Sequence, residues 1–253
     1  MRRHEGKVAL CAGSATGIGA GCALHLAQEG ATVVVGDVNM EGAQKTVDEI
    51  VAGGGQALAV EFDIAETESV KALVNRTVEH YGRLDLLHVN ATDRKLNLED
   101  FDALSTDVGV FDRIITVSLR GHLLCSKYAI PEMLKLRAGS IVFTSSDAAK
   151  YPSVSKMTYH IAKAGLNMLM RHVALRWGKE GIRANCVSPG LTMTENVLRN
   201  TTSEWREQQL ASVPSERLGS VDDVASLVSF LLSTEAAWIN GQVVTVNGGQ
   251  LMY

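Results

Sequence analysis

Lys7-Val8-Ala9-Leu10-Cys11-Ala12-Gly13-Ser14-Ala15-Thr16-Gly17-Ile18-Gly19 starts as a short apolar run and breaks at glycine, after which alanine, cysteine and leucine recur with helical spacing up to Glu29-Gly30. The stretch reads as strand, glycine turn, helix. The next run, Ala31-Thr32-Val33-Val34-Val35-Gly36-Asp37, is β-branched and nearly uniformly apolar, as a strand covered on both faces should be, and it stops at an acid. Together the two form a βαβ unit. Glycines at 13, 17 and 19 let the backbone come close to a pyrophosphate, while the amides around Thr16 and Ile18 and the positive end of the helix attract the anion. A carboxylate closing the second strand accepts hydrogen bonds from ribose hydroxyls and repels a phosphate in that place. Asp37, followed by Val38-Asn39-Met40 without an Arg or Lys, therefore argues for NAD(H) over NADP(H).

The alternation continues along the chain. Helices are predicted near 40–52 and 67–81, and strands near 57–62 and 84–89, the first ending at Asp63-Ile64 and the second at Asn90-Ala91. Residues 92–106 are charged and irregular and read as surface loop with a short helix; a long helix follows over 107–136. A strand over 140–144 delivers Ser145-Ser146, a helix continues to about 179, and a strand over 182–187 ends at Ser188-Pro189-Gly190. Repeated βα units of this kind imply an α/β fold, a doubly wound parallel sheet of about seven strands with helices on both faces. Ligands bind at the carboxyl ends of such strands, where Asp63 and Asn90 sit. Asp63 is a candidate for the adenine amino group, with helix capping an equally good reading. No repeat or linker divides the chain, so residues 1–253 are expected to form one domain.

Charge and composition narrow the function. The chain has 24 basic and 28 acidic residues, net −4, and no basic run beyond Arg2-Arg3, so nucleic acid is not an expected partner. No stretch approaches the roughly 18 to 20 apolar residues of a membrane span. The four cysteines are scattered without metal or redox spacing, which suggests buried thiols in a reducing, cytoplasmic setting. The histidines of the 157–179 helix, His160 and His172, lack partners in ligand spacing, and no metal is expected.

Tyr159 and Lys163 lie four apart, on one face of a helix, with Ser146 thirteen positions before the tyrosine. A cation about 4 Å from a phenol, at an effective dielectric near 20, is worth roughly 4 kcal/mol. That brings a phenol with an ordinary pKa of about 10 within reach of neutral pH. The pair alone is also what any wet helix face can show. Its weight comes from the chain around it.

With Gly13, Gly17 and Gly19 as GxxxGxG, Asp63, Asn90-Ala91, Ser146 with Tyr159 and Lys163 as YxxxK, Ile182 through Pro189-Gly190, and Val246-Asn247-Gly248-Gly249, the chain resembles the short-chain dehydrogenase/reductase family from Lys7 to about Gly249. The resemblance implies a Rossmann-like oxidoreductase in which Tyr159 exchanges a proton with the substrate oxygen as hydride passes to or from nicotinamide. It further implies that Lys163 holds the ribose and activates the phenol, and that Ser146, with Ser145 as competitor, orients the substrate oxygen. Thr192 and Thr194, after Pro189-Gly190, would hold the carboxamide. Three positions depart from the family pattern: Ser118 stands where an asparagine continues the proton path, Thr92 replaces a glycine, and Asn247 replaces an aspartate.

The resemblance also locates a substrate lid at 191–214, with Met193 and Val197 facing Tyr151 and Val154 across a pocket suited to an apolar or cyclic secondary alcohol or ketone. A homotetramer is expected from apolar faces that include Met168, Leu169, Met170 and Trp177. The competing readings are a 3-oxoacyl-(carrier protein) reductase and an NAD-binding regulator of weakened catalysis.

Overall fold

The structure, a computed structural model, describes residues 2–252. Its elements run β1 (Val8–Ala12), α1 (Gly17–Gln28), β2 (Thr32–Asp37), α2 (Met40–Ala52), β3 (Gln56–Glu61), α3 (Thr67–Tyr81) and β4 (Leu86–Val89), then α4 (Val108–Ile115), α5 (Gly121–Leu136), β5 (Gly139–Thr144), α6 (Met157–Trp177), β6 (Ile182–Pro189), α7 (Glu195–Asn200), α8 (Ser203–Leu210), α9 (Val221–Leu232) and β7 (Val243–Val246). All seven strands pair in parallel in the order β3-β2-β1-β4-β5-β6-β7. The order reverses between β1 and β4, which opens a crevice at their carboxyl ends.

The sheet is dry on both faces, as the apolar runs of β1 and β2 require. Leu10, Val34, Leu87 and Phe143 pack against α3, α5 and α6 on one side. Ala9, Val33, Val35 and Val142 pack against α1, α2 and α9 on the other. All four cysteines are buried, and burial pushes Cys11, Cys125 and Cys186 up to about 12, so these thiols are inert packing groups. No described helix is long and apolar enough to cross a membrane.

The expected long helix over 107–136 is not one α-helix. Asp107 starts α4 by accepting from the Gly109 and Val110 amides, and residues Thr116–Arg120 then form a π-helical turn before α5. The chain stays helical through such a turn and has no Gly or Pro over residues 110–120, so no sequence signal marks it. Of the residues thought to form an apolar contact face on α6, Met170 is in the core and Leu169 and Trp177 pack against it; only Met168 projects outward, joined by Ile161 and Leu175.

Candidate active site

The carboxyl ends of β1, β2, β4, β5 and β6 open on one cleft of about 990 Å³. At its β1 end the glycine turn is held tightly. A Cβ on Gly13 would lie 2.5 Å from the Ala91 amide nitrogen, and one on Gly19 would lie 2.2 Å from the Gly13 carbonyl oxygen. Gly17 has a φ of 59°, in the left-handed region. Asn90 donates its side-chain amide to the Gly13 carbonyl at 3.1 Å, tying the end of β4 to this turn. Asp37 fastens the turn from β2: one carboxylate oxygen accepts from the Ala15 amide at 2.9 Å, the other from the Asn39 amide at 3.0 Å. Carboxylate lone pairs remain for ribose hydroxyls. No described cation pairs with Asp37 to receive a phosphate, and Val38 beside it is exposed.

Asp63 does not cap α3, whose N-cap position is Glu66. One Asp63 oxygen accepts from the Ala65 amide at 2.8 Å, and the other faces Arg113 at 3.7 Å across the cleft.

At the β5 end, Ser145 donates to Asn167 at 2.7 Å and is thereby committed to α6. Ser146 accepts from the Ala148 amide at 3.2 Å and lies beside the Tyr159 phenol, whose pKa it pulls down. This separates the two serines, which spacing alone had only ranked. Tyr159 is positioned by a residue the sequence did not single out. Asp100, buried in the irregular segment after β4, accepts from the Thr158 and Tyr159 amides at 3.1 and 2.9 Å and so caps α6. An aspartate in a charged loop carries no signal that it will be buried at a distant helix start.

Lys163 departs from expectation. It is 1% exposed, its Nζ donates to the Thr144 carbonyl at 2.7 Å, and it lies 5.7 Å from the centre of the Tyr159 ring. Burial lowers its pKa from 10.5 to about 8. Burial also raises the phenol above its usual value, opposed by the Ser146 side chain and the charge of Arg94. In this geometry the lysine does not produce the depressed phenol pKa that the four-residue spacing suggested, because the ammonium reaches toward the strand end and loses its own hydration.

Two of the three departures from the family pattern meet. Ser118, fully buried in the π-helical turn, and Thr92, in the cleft lining, share a hydrogen bond at 3.2 Å between their hydroxyls. The third has a local reason. Asn247 donates to the carboxylate of buried Asp147 at 2.6 Å, and Ser188 donates to its other oxygen at 2.8 Å. An aspartate at 247 would set two carboxylates against each other.

Beyond β6, Thr194 caps α7 and packs over Gly17, while Thr192 bridges to Gly219. The cleft lining gathers Thr16, Ile18, Ile64, Pro189, Gly190, Thr192, Thr194 and Val197 with the residues above. Gly19 and Ser118 stand behind the surface; Tyr151, Val154 and Met193 lie outside the lining, with Val154 95% exposed.

The family model described as enoyl-(acyl carrier protein) reductase matches residues 12–250. The chain belongs to the short-chain dehydrogenase/reductase family. It is 35% identical to a 7α-hydroxysteroid dehydrogenase of Clostridium sardiniense, covering 98% of this chain and 95% of the relative. It is 36% identical to a cyclohexanol dehydrogenase of Acinetobacter sp. (strain SE19), covering 97% and 95%. Among solved structures, a 7α-hydroxysteroid dehydrogenase complexed with NADH and 7-oxo glycochenodeoxycholic acid superposes with a TM-score of 0.91 at 33% identity, covering 98% of this chain and 95% of the other. The chain is thus an oxidoreductase of this family, with relatives that act on alcohols.

Proposed function

We propose that the protein is an NAD(H)-dependent oxidoreductase acting on a secondary alcohol or its ketone, with Tyr159 as acid and base. The observation that carries this reading is the convergence of the glycine turn, Asp37, Ser146, Tyr159 and Lys163 on one cleft. The turn fits a dinucleotide because Gly13, Thr16, Gly17 and Ile18 line the cleft at the start of α1, while the missing side chains of Gly13 and Gly19 let the turn pack against Ala91 and itself. Asp37, without a neighbouring cation, fits unphosphorylated ribose.

The bound nicotinamide would accept or supply the hydride. Tyr159 takes the proton of the substrate hydroxyl in oxidation and returns it in reduction, and Ser146 donates to the substrate oxygen. Lys163 has two further N–H donors beyond the bond to Thr144, available for ribose hydroxyls. Thr194, whose oxygen accepts from the Val197 amide, keeps its own proton for the carboxamide. The paired hydroxyls of Ser118 and Thr92 continue the proton path toward solvent, and replacing Ser118 with alanine should slow turnover while NADH affinity holds. The active form is proposed as a cytoplasmic homotetramer built on the exposed Ile161, Met168 and Leu175 of α6. A monomeric mass by light scattering would count against that assembly.

The test is initial-rate oxidation of cyclic secondary alcohols with NAD+ and with NADP+. NAD+ should be preferred by about tenfold or more, the factor given by 1.4 kcal/mol of phosphate repulsion, and Asp37→Ala should narrow the ratio. Preference for NADP+ would favour the 3-oxoacyl-(carrier protein) reductase reading. NADH binding without turnover of any carbonyl would favour a regulator.

A further inference from the structure

The segment after β4 and the start of α6 are clamped together at the mouth of the cleft. The Asp100 carboxylate holds the Thr158 and Tyr159 amides, and its carbonyl accepts from the Lys156 amide at 2.8 Å. The clamp brings Arg94 and Lys95 from one segment, and Lys156 from the other, into the lining that contains Tyr159.

None of the three cations forms an ion pair among the described residues, and the acids around them are engaged elsewhere. Asp93 accepts from the Leu96 amide at 3.2 Å, and its other oxygen lies 4.0 Å from Arg113. Asp63 faces the same arginine at 3.7 Å. Asp37 is at the far end, held by the glycine turn. Lys156 is one of two non-glycine residues with positive φ among those described, at 62°, a conformation kept by the Asp100 clamp. Beside these charges, the Asn97 carboxamide oxygen is buried in the lining with no hydrogen-bond partner. Three cations without ion partners, in a chain of net charge −4, imply an anionic group on the guest, while the Asn97 oxygen, an acceptor, calls for a hydrogen-bond donor such as a hydroxyl on the same molecule. The surrounding wall is apolar, from Leu98, Val117, Leu191 and Val197.

We propose that the substrate is an apolar secondary alcohol or ketone bearing an anionic group, a carboxylate or a phosphate, held by Arg94, Lys95 and Lys156 while the reacting carbon faces Tyr159. This rests on the reading of the cleft as an alcohol site, and it assigns the specificity of that site to charge.

The experiment reads binding, so it does not depend on turnover. Cyclohexanecarboxylate, cyclohexylphosphonate and cyclohexanecarboxamide are titrated calorimetrically into the enzyme saturated with NADH. At least one anion should bind about tenfold tighter than the neutral amide, and the better of the two names the group. The margin should fall with added salt and vanish in the triple variant Arg94→Gln, Lys95→Gln, Lys156→Gln. Equal affinities, or a margin that survives in the variant, would overturn the proposal. A variant that loses NADH affinity by the same factor would also overturn it, by assigning the cations to the cofactor phosphates. Failure of the wild-type enzyme to bind NADH would instead sink the oxidoreductase reading.

Discussion

Replacing Tyr159 with phenylalanine is expected to lower kcat for alcohol oxidation by about 10² to 10⁴, the usual worth of a positioned acid or base. The ring stays in place, because α6 is capped through backbone amides that phenylalanine also has. NADH affinity should therefore hold within about twofold. The pH profile gives a second readout with a definite sign. Burial disfavours the phenolate and leaves the Tyr159 pKa above its usual value, against the opposing pull of Ser146 and Arg94. The phenol thus holds its proton at neutral pH, so oxidation, which needs a base, should rise with pH, and reduction, which needs an acid, should fall as pH rises. Tyr159→Phe should flatten both limbs. Steady-state rates between pH 6 and 10 check this, and full activity or an unchanged profile in the variant would remove Tyr159 from the chemistry.

Lys163→Met should separate stability from activity. The wild-type ammonium is 1% exposed, and its pKa falls from 10.5 to about 8 in the folded protein. At about 1.4 kcal/mol per pKa unit this is an order-of-magnitude cost of 3 kcal/mol to the folded state. The cost is complete below pH 8, where both folded and unfolded chains hold the proton. Between about 8 and 10.5 the unfolded chain binds more protons than the folded one, so stability rises with pH; above 10.5 the cost is gone. Methionine keeps the apolar stem without the charge but leaves the Thr144 carbonyl without its donor. The variant should be more stable than wild type by about 1 to 3 kcal/mol at pH 7, with turnover lost. Urea unfolding at pH 7 and pH 10 tests it through the difference between the two proteins, which cancels other titrating groups. A gap that does not shrink at the higher pH would mean that the buried charge is not its source.

Lys163 also marks where a sequence argument reached too far. Spacing placed it on the face of Tyr159, and both do line one cleft. Spacing does not say which acceptor a four-carbon stem will reach, nor how much hydration it gives up on the way. The nearby strand end decided both, since the Thr144 carbonyl takes the ammonium at 2.7 Å.

The sequence by itself determined the order of the sheet's parts and the residues at its carboxyl ends. Glycine turns, uniformly apolar strands and strand-end acids are local patterns whose physical meaning does not depend on distant neighbours. Asp37 and the three glycines were legible for that reason, whereas Ser146 and Tyr159 took their weight from the resemblance of the whole chain to a family. Only the tertiary structure decided the partnerships formed between segments remote in the chain. It paired Thr92 with Ser118 through a π-helical turn, set Asn247 on Asp147, and used Asp100 to carry Arg94, Lys95 and Lys156 to the mouth of the cleft. Each of these depends on a polar side chain being buried or left unpaired, and burial belongs to the assembled fold, not to any stretch of residues read alone.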